Sequence, residues 1–368
     1  RVCRWVVDQT HKTRRPGASE EELPEWGLMP PGVLADWGPL AYYYCLNGYY
    51  YAGLSRAARA LKAVGHPNAE AFEAAAAELK DDIQRAFDWT QARSPVLPLR
   101  DGTWVPAYGS QVYVTGPTIE YYPEAGHAWA YDVELGGHHL IAQGVLDPNG
   151  DDARWTMEHM EDVQFLFPGM CAFDPRTDPF NLGGFSKVQP YYARNVEIYA
   201  LADDVKPFIR SYFNTLPSLL NRENLSLWEH PRANLGWNKT HETGYFLQQT
   251  RFMLVMERGR ELWLAPFVTQ HWMEDGMAVR VDQAPTRFGP VGYRIVSHVG
   301  QGYIEAEIDP PVRDMPDALV IRLRHPEGKP MRSVTVNDRP HDGFDPEREC
   351  IRLDPVRETI RVRAEYTP

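Results

Sequence analysis

Two hydrophobic periods divide the chain. Up to about residue 260 apolar positions recur at three- and four-residue spacings, and beyond it they alternate. The first pattern predicts helices near 1–13, 39–64, 68–92, 130–145, 153–166, 187–202, 204–221 and 240–258. In the second of these, Leu46, Tyr50, Leu54, Ala57, Leu61 and Val64 form one apolar stripe. Gly65 is placed to end it, and Asn68 to cap the next helix. The alternating pattern puts Leu319, Ile321 and Leu323 opposite Val320, Arg322 and Arg324. It likewise puts Ile304, Ala306 and Ile308 opposite Tyr303, Glu305 and Glu307, and Ile360, Val362 and Ala364 opposite Arg361, Arg363 and Glu365. Turn signals at Gly300–Gly302, Pro326–Gly328 and Asn337–Asp338 separate these strands. The expected fold is mainly α plus β: a helical-hairpin domain over 1–260, then an antiparallel β-sandwich over 261–368.

The connections carry as much information as the helices. Those at 65–67, 146–152 and near Asp203 are short, whereas those at 14–38, 93–129, 167–186 and 222–239 are long and rich in Pro, Gly, Trp and acids. Short and long alternate. In an array of antiparallel helical hairpins, alternate connections fall at opposite ends, so the four long ones are expected to gather at one end. Loops of that length in a compact domain usually carry function.

Composition narrows the function classes. The 368 residues are 43% hydrophobic and 24% charged, an ordinary globular balance, and no apolar run approaches a membrane span. A formal net charge of −12, from 50 acids against 38 bases, argues against nucleic acid as a partner. Aromatic residues reach 12%, including 11 Trp and 19 Tyr, the rings that stack on flat ligands. The four cysteines, Cys3, Cys45, Cys171 and Cys350, lie far apart and read as separate thiols, with neither a zinc site nor a disulfide framework expected. "DPNGDD" at 147–152 reads as a turn plus helix cap, not a calcium loop, since its Gly is out of place and no distal Glu follows. The start, "RVCRWVVDQT", reads as the latter part of a helix and suggests the C-terminal portion of something longer. Localisation, whether cytoplasmic, periplasmic or secreted, is not readable from this.

"GLMPPGVLADWGPLAYYYCLNGYYYAGLSRAARALKAVG", "GWNKTHETGYFLQQTRFMLVMERGRELWLAP" and "APTRFGPVGYRIVSHVGQGYIEAEIDPP" together resemble a poorly characterised bacterial branch of the six-hairpin, (α/α)6-barrel glycosidases. The resemblance covers most of the chain and implies a helical barrel with long loops on one rim, followed by a β-sandwich. The family ring has twelve helices, against eight counted here. Matching the last helix to the twelfth starts the chain near the fifth and leaves two hairpins to be found upstream, on another chain, or absent, in which case the barrel is not intact. The implied activity is hydrolysis of a glycosidic bond in an oligo- or polysaccharide by two carboxylates, with inversion. That chemistry needs no cofactor and no metal. A carbohydrate substrate is the implied partner, and a homo-oligomer is left open.

Candidate chemistry lies on the long loops. Asp36, in "VLADWGP", falls where glucoamylase-like relatives keep the general acid, and Trp37 beside it would help raise its pKa. Helix capping explains the same Asp. The partner base of those relatives falls at Glu229, between Trp228 and His230, with Glu242 as the rival. Glu242 also suits the first turn of a helix, where the macrodipole favours a carboxylate. Which of the two is the base stays open at this level. Glu120, Tyr121, Tyr122, Glu124 and His127, near Trp129, would form a sugar-stacking platform, and Arg232, Trp237, Asn238 and His241 would bind hydroxyls or a carboxylate. Two rival readings remain: a polysaccharide lyase acting on uronate-containing glycans with a Tyr or His base, and a non-catalytic carbohydrate-binding subunit.

Overall fold

Eight α-helices and fifteen short or medium strands lie among the residues that the computed structural model describes, which are 1–15, 22–34, 40–115, 136–162, 191–229 and 239–367. The helices are α1 (Val2–Thr10), α2 (Tyr44–Ala63), α3 (Ala69–Gln91), α4 (Gly137–Gln143), α5 (Asp151–Asp162), α6 (Asn195–Ala202), α7 (Val205–Leu219) and α8 (Thr240–Leu254). The chain divides into two units, Arg1–Tyr245 and Phe246–Pro368, and the division falls within α8.

Several helix ends differ from the periodicity, each for a tertiary reason. α2 starts at Tyr44 and not at 39, because the segment before it pairs as extended chain: Gly32 bridges Ala41, and Tyr43 bridges Gln111. Its far end follows the sequence. Gly65 sits at φ +70, and the His66 N–H returns to the Leu61 carbonyl at 2.9 Å, a left-handed cap. Asn68 occupies the cap position of α3, but its side chain makes no capping bond. Its backbone N–H instead donates to His66 Nδ1 at 3.2 Å. α8 stops at Leu254, short of 258, because Val255–Arg258 is drawn into a strand against Glu261–Leu264 across the Gly259 turn.

Within Arg1–Tyr245, α2 packs against α1, α3 and α4, while α4 also meets α5 and α6, and α6 meets α7. The α2–α3 contact is sealed by Tyr44, whose hydroxyl meets the Ala86 carbonyl at 2.9 Å and Thr90 Oγ1 at 2.6 Å. Gly48 lets α2 approach α4, since a Cβ there would lie 3.2 Å from Leu140 Cδ2. Of the cysteines, Cys45 and Cys350 are buried free thiols, Cys3 is a half-buried one, and Cys171 lies outside the described residues. The 147–150 segment is a turn: Asp147 Oδ1 accepts the Asn149 N–H at 2.9 Å, and its carbonyl accepts the Gly150 N–H at 3.0 Å.

Phe246–Pro368 holds two sheets. One runs β13 (Phe344–Asp345), β14 (Cys350–Leu353), β10 (Ala318–Arg322), β6 (Glu261–Leu264), β5 (Val255–Arg258). The other runs β12 (Arg339–His341), β11 (Met331–Val336), β15 (Ile360–Tyr366), β9 (Tyr303–Asp309), β8 (Val291–His298), β7 (Ala278–Ala284). Their inward residues, among them Leu319, Ile321, Ile304, Ile308, Ile360 and Val362, form one core. The expectation of a wholly antiparallel sandwich needs one correction: β6 and β10 are parallel neighbours. Between them the chain crosses into the other sheet to build β7, β8 and β9, and such a crossover permits parallel pairing. Asn337 and Asp338 both take positive φ in the β11–β12 hairpin, as a two-residue primed turn requires.

Alternation also misplaces two arginines. β10 is buried on both faces, and Arg322, expected in solvent, is only 1% exposed. Its guanidinium donates to the Pro266 carbonyl at 2.5 Å and the Arg348 carbonyl at 3.1 Å, and lies 5.6 Å from the centre of the Trp263 ring. Arg324 is held by Glu349 at 2.8 Å. Arg322→Ala is expected to cost about 2–4 kcal/mol, because it leaves a cavity and two carbonyls without their donor. A urea midpoint matching the parent's would contradict this account of the buried guanidinium.

Candidate active site

The N-terminal turns of the even-numbered helices meet. Tyr49 in the second turn of α2 shares a hydrogen bond of 2.5 Å with the hydroxyl of Tyr245 in the second turn of α8. His139, third residue of α4, stacks obliquely on Tyr49 at 5.5 Å and on Tyr192 at 5.1 Å, where Tyr192 stands three residues before α6. Tyr192 in turn meets the Tyr245 ring at 5.8 Å and the His241 ring at 5.2 Å. The short turns at Gly65, Gly144 and Asp203 follow the opposite, C-terminal ends of α2, α4 and α6. Antiparallel hairpins produce this arrangement, in which every second connection returns to the same end.

A buried ion pair supports the cluster. Arg194 takes a left-handed backbone (φ +62) at the cap of α6, uncommon for a residue other than Gly. Its Nε and Nη2 both reach Glu197 Oε2 at 2.6 Å, with the two side chains 3% and 6% exposed. The guanidinium also lies 5.1 Å from the Tyr245 ring centre and 5.9 Å from that of Tyr49. Burial pulls the Arg194 pKa down, and the Glu197 pair outweighs it, so the value ends above the ordinary arginine one.

The surrounding groups are held neutral. Burial, first, drives the Tyr49 and Tyr192 hydroxyls well above the usual tyrosine range. It pushes the Cys45 thiol, hydrogen-bonded to Tyr192, up to about 12. It also drives His139 well below the usual imidazole value, reinforced by Arg194. At neutral pH these rings therefore serve as hydrogen-bonding surfaces with apolar faces, and Arg194 is the fixed positive charge among them.

Two of the candidate carboxylates are described, and both stand at the mouth of α8. Glu229 follows the short hairpin of β3 (Leu220–Asn221) and β4 (Ser226–Leu227). It pairs with Lys239 Nζ at 2.9 Å, and Lys239 donates its backbone N–H to the Leu227 carbonyl at 3.0 Å. The two ends of the 222–239 connection are thereby pinned together beside the start of α8. Trp228, half-buried, donates its backbone N–H to the Leu219 carbonyl at 3.0 Å. Glu242, in the first turn of α8, is 0% exposed, and its two oxygens accept the Tyr191 N–H at 2.8 Å and the Tyr192 N–H at 3.1 Å. This carboxylate ties α8 to the turn before α6, an attachment the helix macrodipole alone does not predict. His241, its side chain a third exposed, lies 3.5 Å from Glu242.

Asp36, Trp37, Glu120, Tyr121, Tyr122, Glu124, His127, His230, Arg232, Trp237 and Asn238 lie outside the described residues. Sequence reasoning missed Tyr49, His139, Tyr192, Arg194 and Tyr245. The tyrosine-rich run "AYYYCLNGYYY" and the His pair in "GGHHL" were visible signals for Tyr49 and His139. Nothing local marks Arg194.

No protein-family model and no curated protein matches the chain. Among solved structures the chain is similar to an α-L-rhamnosidase from Dictyoglumus thermophilum, with 12% identity and a TM-score of 0.43 over 86% of this chain and 31% of that one. It is similar to a glycoside hydrolase, with 10% identity and a TM-score of 0.38 over 88% of this chain and 56% of the other. It is also similar to a GH127 β-arabinofuranosidase, with 9% identity and a TM-score of 0.34 over 87% and 59%. The chain thus spans about a third of the rhamnosidase and less than two thirds of the other two.

Proposed function

We propose that this chain carries a glycoside hydrolase site at the N-terminal end of α2, α4, α6 and α8. The observation that supports it best is the meeting there of three tyrosine rings, a fixed guanidinium and Glu242, with Glu229 held by Lys239 at the start of α8. Rings edged by hydroxyls and charged hydrogen-bonding groups suit a pyranose, which has apolar faces and a polar rim. Glu229 is the better base of the two glutamates. Its side chain is 22% exposed and its partner is a lysine amine, whereas both Glu242 oxygens are taken by backbone N–H groups. Asp36 supplies the proton to the leaving oxygen in this reading, Glu229 activates the water, and the outcome is inversion. The helical ring of the (α/α)6 type belongs to the same proposal.

The lyase alternative needs a tyrosine or histidine that releases its proton readily. Burial opposes this at Tyr49 and Tyr192. The full-length parent protein assayed on a panel of aryl glycosides and uronides tests the proposal. Asp36→Asn and Glu229→Gln are each expected to lower kcat at least ~100-fold, the usual scale for losing a general acid or base. Undiminished turnover in both variants would remove the assignment. A product absorbing in the near ultraviolet would replace hydrolysis by elimination.

A further inference from the structure

A second site opens at the other end of the helical unit. A groove of about 1000 Å³ runs between the β1–β2 hairpin (β1 Val96–Pro98, β2 Trp104–Pro106), α5, the last turn of α6 and the start of α7. It includes Pro148, Asn149, Ala202 and Asp204, from the turns that follow α4 and α6. The groove therefore lies toward the C-terminal end of α6, whereas Tyr192 precedes its N-terminal end.

Two indoles face this space, Trp104 on β2 and Trp155 on α5. Trp104 is 61% exposed, an unusual position for the largest apolar side chain. Its hairpin is anchored, since the Arg100 N–H donates to Asp162 Oδ2 at 2.7 Å and the Arg100 side chain pairs with the same carboxylate at 3.6 Å. The polar lining is net acidic, with Asp101, Glu158, Glu161, Asp162 and Asp204 against Arg154 and Arg210, and much of it is engaged in pairs. Glu161 accepts from both the Tyr199 hydroxyl and Arg210, and Arg154 pairs with Asp151 at 2.8 Å and reaches Glu158 at 4.0 Å.

We propose that this groove is a second carbohydrate-binding site, separate from the α8 mouth, that takes a neutral oligosaccharide with Trp104 as its stacking platform. Its volume is at the upper end of what small-ligand clefts enclose, enough for more than one sugar ring. A flat indole presented on an anchored hairpin loses little freedom on binding. Ion pairs that satisfy each other in charge still present spare lone pairs and N–H groups in fixed positions, which is what hydroxyls of a neutral sugar require. A cationic ligand would have to compete with Arg154 for Glu158, with Arg210 for Glu161 and with Arg100 for Asp162.

Calorimetric titration of the full-length protein with gluco-, manno-, galacto-, xylo- and rhamno-configured neutral oligosaccharides tests the inference, using wild type, Trp104→Ala and Trp104→Phe. At least one sugar is expected to bind, with affinity falling about tenfold or more in Trp104→Ala and recovering to within about threefold in Trp104→Phe, which keeps a ring. Absence of binding by every sugar, equal affinity in wild type and Trp104→Ala, or equal loss in both variants would each overturn it. So would binding confined to an amine-bearing oligosaccharide added to the panel. The readout is separate from turnover: Trp104-dependent binding without any glycosidase activity would leave this site standing and sink the proposed reaction.

Discussion

Acidification from pH 7 to pH 4 is expected to remove several kcal/mol of stability from Arg1–Tyr245. His138 and His139 on α4 are 0% exposed and His159 on α5 is 3% exposed. Burial, the dominant cause, lowers the pKa of both His138 and His159 from 6.5 to about 4, and drives that of His139 well below 6.5 as well. His138 keeps one ring nitrogen on the Ala193 carbonyl at 2.9 Å, which offsets little of that burial. Above pH 6.5 these rings are neutral in both the folded and the unfolded chain, so their contribution is complete. Between 6.5 and about 4 the unfolded chain binds protons that the folded one refuses, and stability falls. A depression of this size corresponds to about 3 kcal/mol per ring at most. Asp88 and Asp204, whose carboxyl pKa values burial raises, act in the opposite sense at the acid end of the range. Urea unfolding at pH 7.5, 6 and 5, compared with His138→Gln and His159→Gln, isolates the imidazoles. The idea fails if the wild-type midpoint holds constant across that series, or if the two variants lose stability as steeply as wild type.

Glu242→Ala is expected to lower stability by about 3–5 kcal/mol, since hydrogen bonds to a charged acceptor contribute about 1.5–3 kcal/mol each and two are lost. The Tyr191 and Tyr192 N–H groups would lose their charged acceptor. For a unit of this size the melting temperature should drop by roughly 10 °C. Glu242→Gln keeps one carbonyl acceptor but turns an amide donor toward one of the two N–H groups, so it should recover only part of the loss. Differential scanning calorimetry beside a glycosidase assay separates tie from catalyst. A Glu242→Ala protein that melts with the parent yet has lost turnover would make Glu242, not Glu229, the base.

Local periodicity determined a good deal of this protein. The Tyr44–Ala63 helix and its Gly65 stop, the alternation of Ile304, Ala306 and Ile308, and the Asn337–Asp338 turn are legible because each depends on neighbours within a few residues. The same logic fails where distant chain arrives. Val255–Arg258 continues a helical pattern but pairs with Glu261–Leu264, and Arg322 follows a polar-out alternation yet is covered by Trp263 and Phe267. At the candidate site, the sequence pointed to Glu229 and Glu242 through the density of polar and aromatic residues around α8. It was silent on Arg194, whose left-handed backbone and pairing with Glu197 have no local signature.

What the sequence by itself determined was therefore the identity of many elements and the two glutamates worth testing. Only the tertiary structure decided which helix ends meet, that Glu242 spends both oxygens on the Tyr191–Tyr192 turn, and that Tyr49, Tyr192, Tyr245 and Arg194 share one cluster. The reason is physical. Turns, caps and faces are set by interactions spanning a few residues, whereas burial, ion pairing and the pKa values they produce are properties of groups brought together from positions as far apart as 49 and 245.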